Sequence, residues 1–154
     1  MTPKEELFLK NLEDFKRSLY WLKRGLEKVA DISKREKPEE EDFEKVEVLF
    51  SRFSRTVDML MNRILRGIDL LELEDVGTKL DIVIRAEKRG FVEDYRKLIA
   101  LKDLRNELSH EYVGEELLKR LPEVVEASKE VLAISEKALS YIEDSLIPKL
   151  RGRQ

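Results

Sequence analysis

Three long stretches of this 154-residue chain place apolar side chains at alternating intervals of three and four residues. They cover residues 8–29, 43–64 and 118–146. Because an α-helix has 3.6 residues per turn, this spacing collects the apolar side chains of each stretch into one stripe along a helix. Each stripe has to be buried against another element, so the pattern predicts three long helices that pack together as a bundle.

Segments rich in charge, proline and glycine mark the ends of these helices. Residues 2–5, Thr-Pro-Lys-Glu, have the pattern of a capping box with proline at the first helical position, which predicts a helix start. Residues 34–42 contain charges and a proline but no apolar side chain, so the first helix is expected to end there. We expect the second helix to run back antiparallel to the first, as far as about Gly67.

Two shorter helices are expected in the middle of the chain. Residues 77–78, Gly-Thr, offer a turn and a helix cap, and the helix that follows is expected to stop at Gly90. A fourth helix should begin near Val92 and end between His110 and Gly114.

The last helix is expected over residues 115–147, where Pro148 ends it and Pro122 either kinks it or marks its true start. A chain of 154 residues has the size of one domain, so we expect a single domain over residues 1–154. Its predicted class is all-α, an up-and-down bundle of about five helices, three long and two shorter. The stripes also fit a parallel coiled coil, but the frequent turns favour a bundle within one chain, with one face able to pair with a second subunit.

The charge balance limits the partners that such a bundle can bind. Thirty basic and 33 acidic side chains give a net charge of -3, which argues against a uniformly basic surface of the kind that coats duplex DNA. Any contact with nucleic acid therefore has to be local. Dense Glu and Lys with three Asn and one Gln is typical of proteins from hot environments.

The residue types that are missing exclude several kinds of site. The absence of cysteine excludes disulfides, thiolate nucleophiles and cysteine metal sites. With His110 as the only histidine, we expect no zinc site, and we expect no other metal or cofactor. A membrane-spanning helix needs about 18 apolar residues in a row, and no apolar run in this sequence is nearly that long. No targeting segment is visible either, so we expect a cytoplasmic location without membrane contact.

Residues 105–112, Arg-Asn-Glu-Leu-Ser-His-Glu-Tyr, combine the side chains that cleavage or binding of RNA requires. At about 100° per residue, Asn106 and His110 share one face of a helix and Arg105 and Tyr112 share another. Imidazole can move the proton of a 2′-hydroxyl near neutral pH, and guanidinium can stabilise the extra charge of a phosphorane. Arg105 and His110 are about 140° apart, so their meeting needs the long arginine side chain, a loosened helix end or a second chain.

Plainer interpretations of the same residues remain open. Arg105 can pair with Asp103 or Glu107 on a solvated face, and His110 can simply be favoured by the dipole at a helix C-terminus. The asparagine is then a polar surface residue, and the tyrosine buries its ring with its hydroxyl at water.

The string from Arg105 to Tyr112 resembles the R-x4-H-x-Y signature of the HepT toxins in the HEPN superfamily, small helical bundles encoded beside a minimal nucleotidyltransferase. The order of the expected helices resembles that family over nearly the whole chain. The resemblance implies a metal-independent endoribonuclease that acts as a homodimer, with the Arg and His of both subunits facing one cleft. It implies that Arg105 binds the phosphate, that His110 and its symmetry mate act as base and acid, and that Asn106 orients the scissile region.

The resemblance implies a different role for Tyr112. In the HepT toxins this tyrosine is adenylylated by the partner nucleotidyltransferase, the antitoxin, which adds charge and bulk at the RNA cleft and blocks it.

Two other interpretations remain. The chain can be a non-catalytic subunit that binds a nucleotide or substrate for a separate nucleotidyltransferase, which suits the acidic net charge, or a plain dimerisation bundle.

Overall fold

The computed structural model describes residues 1–73, 75–110 and 113–152, and every regular element within them is helical. The elements in chain order are α1 (Pro3–Val29), a short 3-10 turn (Ile32–Lys34), α2 (Glu40–Met59), a π-helical turn (Leu60–Leu65), α3 (Arg66–Glu72), α4 (Lys79–Lys88), α5 (Tyr95–Glu107), α6 (Glu115–Tyr141), a second π-helical turn (Ile142–Leu146) and α7 (Ile147–Gly152). The π-helical turns join α2 to α3 and α6 to α7 without a break. The predicted all-α bundle of three long and two shorter helices is therefore confirmed for the described residues.

Two helix starts are capping boxes formed by a threonine. The Thr2 hydroxyl accepts a hydrogen bond from the Glu5 amide at 3.2 Å, and the Glu5 carboxylate accepts one from the Thr2 amide at 3.2 Å. Thr78 and Asp81 make the same reciprocal pair at the start of α4, directly after Gly77 with its φ of 74°. Both starts were predicted, because each box satisfies amides that have no partner within the helix.

The core lies where α1, α2 and α6 meet. Phe15 of α1 and Phe53 of α2 are completely buried, and both belong to the predicted apolar stripes. One pair of polar groups inside this interface is satisfied across it, since the hydroxyls of Ser18 and Thr56 are 2.6 Å apart. The first two stripes thus pack α1 along α2 as a helical hairpin.

The predicted stripe of the last helix is buried at five of its nine positions, which are Leu118, Leu121, Val125, Ser128, Leu132, Ser135, Leu139, Ile142 and Leu146. Leu118, Val125, Leu132 and Leu139 are only half-buried, and the residue before each of them is buried instead. At each of these places two apolar residues follow one another, as in Leu117-Leu118. A spacing of three and four fits either column equally well, so the pattern alone does not decide which one faces the core.

Three predicted helix ends were also wrong. The fourth helix, expected to end between His110 and Gly114, ends earlier, at Glu107. The second helix passes Gly67 and continues as α3, because this glycine makes room for the ring of Phe8: a Cβ there would lie 2.7 Å from a ring carbon. The last helix passes Pro148 and ends at Gly152. A π-helical turn ends at Leu146, two residues before Pro148, so the regular hydrogen-bond ladder that proline would break is already interrupted just ahead of it. Pro122 lies inside α6 and does not mark its start.

A buried charge network fixes α4 on the long helices. The completely buried carboxylate of Asp69 on α3 accepts hydrogen bonds from Arg85 of α4 at 2.8 Å and from Arg89, the C-cap residue of α4, at 2.5 Å. The guanidinium of Arg89 also lies over the ring of Tyr141 on α6. The hydroxyl of Tyr141 donates to Glu72 at 2.5 Å, and burial, followed by this hydrogen bond, raises the pKa of the tyrosine. The network holds α4, and with it the adjoining α5, against the rest of the bundle.

Candidate active site

The predicted site residues lie at the C-terminal end of α5. Regular helix ends at Glu107, and the amides of Ser109 and His110 then bond to carbonyls only three residues earlier, each at 3.2 Å. Bonds of this kind tighten the turn relative to an α-helix, so the side-chain directions beyond Glu107 no longer follow steps of about 100°. Regular α-helical geometry therefore ends before His110, so the angle of about 140° expected between Arg105 and His110 no longer applies.

A groove of about 380 Å³ lies between α2 and this end of α5. Its lining consists of Glu47, Phe50, Ser51, Ser54, Arg105, Leu108, Ser109, His110 and Leu117. Arg105 and His110 thus line the same groove within one chain. The sequence left three ways for these side chains to meet: the long arginine side chain, an irregular helix end or a second chain. The structure has an irregular helix end at this place.

Arg105 is held by an aspartate of α2. Its Nε donates to Asp58 Oδ1 at 2.8 Å and its Nη2 donates to Asp58 Oδ2 at 2.9 Å, a two-point contact between guanidinium and carboxylate. The hydrogen bonds and charge of Asp58 raise the pKa of Arg105, so the side chain stays cationic. The plainer interpretation, in which Arg105 pairs with an acid, is therefore borne out, although the acid is Asp58 of α2 and not Asp103 or Glu107. Glu107 accepts a hydrogen bond from Arg120 of α6 at 2.6 Å.

The other predicted site residues are less closely gathered. His110 is exposed at the mouth of the groove, whereas Asn106 is exposed and does not line it. The Asn106 carbonyl accepts a hydrogen bond from the Ser109 hydroxyl at 2.6 Å, which helps to fix the turn that carries His110. Tyr112, the predicted modification site, lies outside the described residues.

The α2 wall of the groove was missed from the sequence. Glu47, Ser51, Ser54 and Asp58 are spaced by four, three and four residues, which places them in one polar row on the outer face of α2. The first three line the groove, and the fourth holds Arg105. The spacing of this row is visible in the sequence, but a polar row on the outer face of a helix is by itself typical of solvent-exposed surface.

The groove brings together one cation, one imidazole, three serine hydroxyls and one carboxylate. A guanidinium beside hydroxyl donors is suited to a phosphate group, and an imidazole at the same opening can accept or donate a proton. The carboxylates of Glu47 and Asp58 weaken the binding of a phosphate here, because they reduce the local positive charge. The arrangement therefore fits a bound phosphate ester whose charge is met chiefly by Arg105.

Comparison of the chain with protein-family models, with curated proteins and with solved structures found no match. The resemblance to the HepT toxins thus stays a prediction carried by residues 105–112 and by the order of the helices. Within residues 1–73, 75–110 and 113–152, no three acidic or histidine side chains cluster as metal ligands, and no helix has the length and apolar character to cross a membrane.

Proposed function

We propose that this chain is a HepT-like toxin, an endoribonuclease that cleaves RNA without a metal ion in the groove at the end of α5. It acts as a homodimer, and a partner nucleotidyltransferase antitoxin neutralises it by adenylylating Tyr112. The observation that carries the proposal is that Arg105 and His110, which bring the two chemical abilities that RNA cleavage needs, line one groove.

The proposed reaction is an internal transfer at phosphorus. The 2′-oxygen forms a bond to phosphorus as His110 accepts its proton, and the bond from phosphorus to the 5′-oxygen breaks. The symmetry-related His110 donates the proton that the leaving 5′-oxygen needs, so the products carry a 2′,3′-cyclic phosphate and a 5′-hydroxyl. Arg105 stabilises the extra negative charge on the phosphorane. Asn106, which does not line the groove of its own chain, orients the scissile region from across the dimer interface.

A second candidate function is favoured by the contact between Arg105 and Asp58. A guanidinium already met by two carboxylate oxygens, beside a groove that also contains Glu47, is a weak anchor for a long polyanion. Under this alternative the groove binds a single nucleotide for a separate nucleotidyltransferase, and the chain is not an enzyme.

Cleavage of end-labelled single-stranded RNA by purified protein, with EDTA present, tests the proposal. His110→Ala should lower the rate by about 10²–10⁴-fold, the contribution typical of a positioned acid or base. Arg105→Ala should also lower it strongly, whereas Arg96→Ala should not. Arg96 is a matched control, because it lies in the first turn of the same helix and pairs with Asp94 at 2.7 Å.

Unchanged cleavage in both His110→Ala and Arg105→Ala would refute the proposed site. A wild-type protein that binds nucleotides through Arg105 but cleaves no RNA would instead establish the second function. The antitoxin part has its own test: incubation with the partner nucleotidyltransferase and ATP should add the mass of adenylyl groups to the protein but not to Tyr112→Phe.

A further inference from the structure

The only tryptophan of the chain is half exposed on the outer face of the bundle. Trp21 of α1 is 50% exposed and Tyr20 beside it is 56% exposed, with the two rings in edge contact at 5.1 Å between centroids. Single exposed apolar residues are common on protein surfaces. Two adjacent exposed aromatic rings, however, present a larger apolar area to water, which is energetically unfavourable. Such a pair suggests that something covers it.

Trp21 borders a groove of about 220 Å³ between α1 and α2 that is rich in arginine. The lining residues are Asp14, Arg17, Ser18, Trp21, Arg52, Arg55 and Met59. We call this groove the tryptophan subsite. It contains three guanidinium groups and one carboxylate, in a chain whose net charge is -3.

The cations of this subsite are available to a ligand. Arg52 donates from Nη1 to the Trp21 carbonyl at 3.0 Å, and its guanidinium carbon lies 5.2 Å from the centroid of the indole ring. The ring and this cation are therefore already arranged before a ligand arrives. Within the described part of the chain neither Arg52 nor Arg55 forms an ion pair, and Arg17 approaches Asp14 only at 3.6 Å.

The tryptophan subsite adjoins the candidate active site along α2. Arg55 lies three residues before Asp58, so the two side chains are neighbours on one helix face, with Cβ atoms about 5–6 Å apart. Asp58 in turn contacts Arg105 at 2.8 Å. A polymer with one phosphate at Arg105 can thus continue past Arg55 to reach Trp21.

We propose that the tryptophan subsite binds single-stranded RNA, with one base stacked on the exposed part of Trp21 and the adjoining phosphates on Arg17, Arg52 and Arg55. The inference rests on the proposed function, since it extends the substrate of the Arg105 and His110 groove. Guanidinium groups bind phosphate through paired hydrogen bonds, and an aromatic ring accepts any unpaired base. A duplex keeps its bases stacked inside, so it cannot use the indole ring.

The single tryptophan makes this inference directly measurable. Titration of the His110→Ala protein with oligoadenylate of about 10 nucleotides should quench the tryptophan emission, and duplex RNA of equal length should not. Arg55→Ala should weaken binding of the oligonucleotide about tenfold and lower the slope of log affinity against log salt by about 1. Lys23→Ala is the charge-matched control, because Lys23 is exposed about 200° around α1 from Trp21.

The outcomes separate this inference from the proposed function. Quenching together with the Arg55→Ala effect, in a protein that cleaves no RNA, supports the subsite and overturns the ribonuclease. RNA cleavage by wild-type protein, without quenching and with equal affinity in Arg55→Ala, overturns the subsite alone. Quenching by the acidic surface of a partner protein but not by oligoadenylate also overturns it, since the groove would then be a protein interface.

Discussion

The contact between Asp58 and Arg105 offers the sharpest test of what the groove is for. Asp58→Asn removes the negative charge but leaves an oxygen that can still accept a hydrogen bond from the Arg105 Nε. The two side chains are 43% and 32% exposed, so water already screens much of their attraction. The free energy of unfolding should therefore fall by only about 0.2–1 kcal/mol, the range measured for exposed ion pairs.

The same substitution should strengthen RNA binding if Arg105 holds a phosphate. A phosphate on the far side of the guanidinium lies roughly 6 Å from the Asp58 carboxylate, where two like charges repel by about 0.7 kcal/mol in water and about 3 kcal/mol at a dielectric constant of about 20. The half exposure of the pair places the effect near the lower value. About 1 kcal/mol corresponds to an affinity roughly fivefold higher.

Fluorescence anisotropy of a labelled oligonucleotide, in the His110→Ala background so that no RNA is cut, measures this affinity. Asp94→Asn is the matched control, because Asp94 holds Arg96 of the same helix through three hydrogen bonds of 2.7 to 3.1 Å, away from the groove. Weaker binding in Asp58→Asn, with stability intact, would refute the reasoning. Asp58 would then be a positioning residue that Arg105 needs, and not a competitor of the phosphate.

Two further predictions concern carboxylates outside the groove. Asp69→Asn leaves the two arginines of α4 without their buried partner, so the free energy of unfolding measured in urea should fall by about 3–5 kcal/mol; a loss below about 1 kcal/mol would contradict the structural role of the network. Asp42 has a lowered pKa, chiefly because it accepts a hydrogen bond from the Glu39 amide and secondarily because Arg35 lies 2.6 Å away. A lowered folded-state pKa stabilises the protein above the unfolded value of about 3.9, and this contribution disappears as pH falls through the folded value. The melting temperature of wild type should therefore drop more between about pH 5 and pH 3 than that of Asp42→Asn, and parallel curves would show that the carboxylate does not contribute.

The helical hairpin of α1 and α2 was predictable because its apolar stripes are unambiguous. Phe15 and Phe53 stand alone among polar neighbours, so only one helix face can bury them. The capping boxes were equally predictable, since they are local patterns of a few residues. In the last helix, where apolar residues stand in adjacent pairs such as Leu117 and Leu118, the buried column depends on tertiary packing.

In the candidate site, too, the features that depend on neighbouring residues were predictable and those that depend on distant residues were not. Arg105 and His110 lie five residues apart and line one groove. Their spacing made both candidates, but left open whether a long side chain, an irregular helix end or a second chain would bring them together. The partner of Arg105 could not be chosen from nearby acids, because Asp58 is 47 residues away in the chain. The packing of the helices decides which carboxylate pairs with an arginine. The sequence of α5 alone therefore does not predict the partner of Arg105.

The π-helical turn between α2 and α3 has a consequence for the length of the chain. In an uninterrupted α-helix, Asp58 and Asp69 would lie only about 20° apart, in a single row. The turn takes up about one extra residue and rotates everything after it by roughly 100°, so that Asp58 meets α5 while Asp69 meets α4. Removing one residue from Leu60–Leu65 and closing the turn into regular α-helix would leave ten residue steps between the two carboxylates, still about 80° apart. We therefore expect Asp58 and Asp69 to keep their separate partners in such a protein, so the turn can lose its extra residue without changing the faces on which the two aspartates lie.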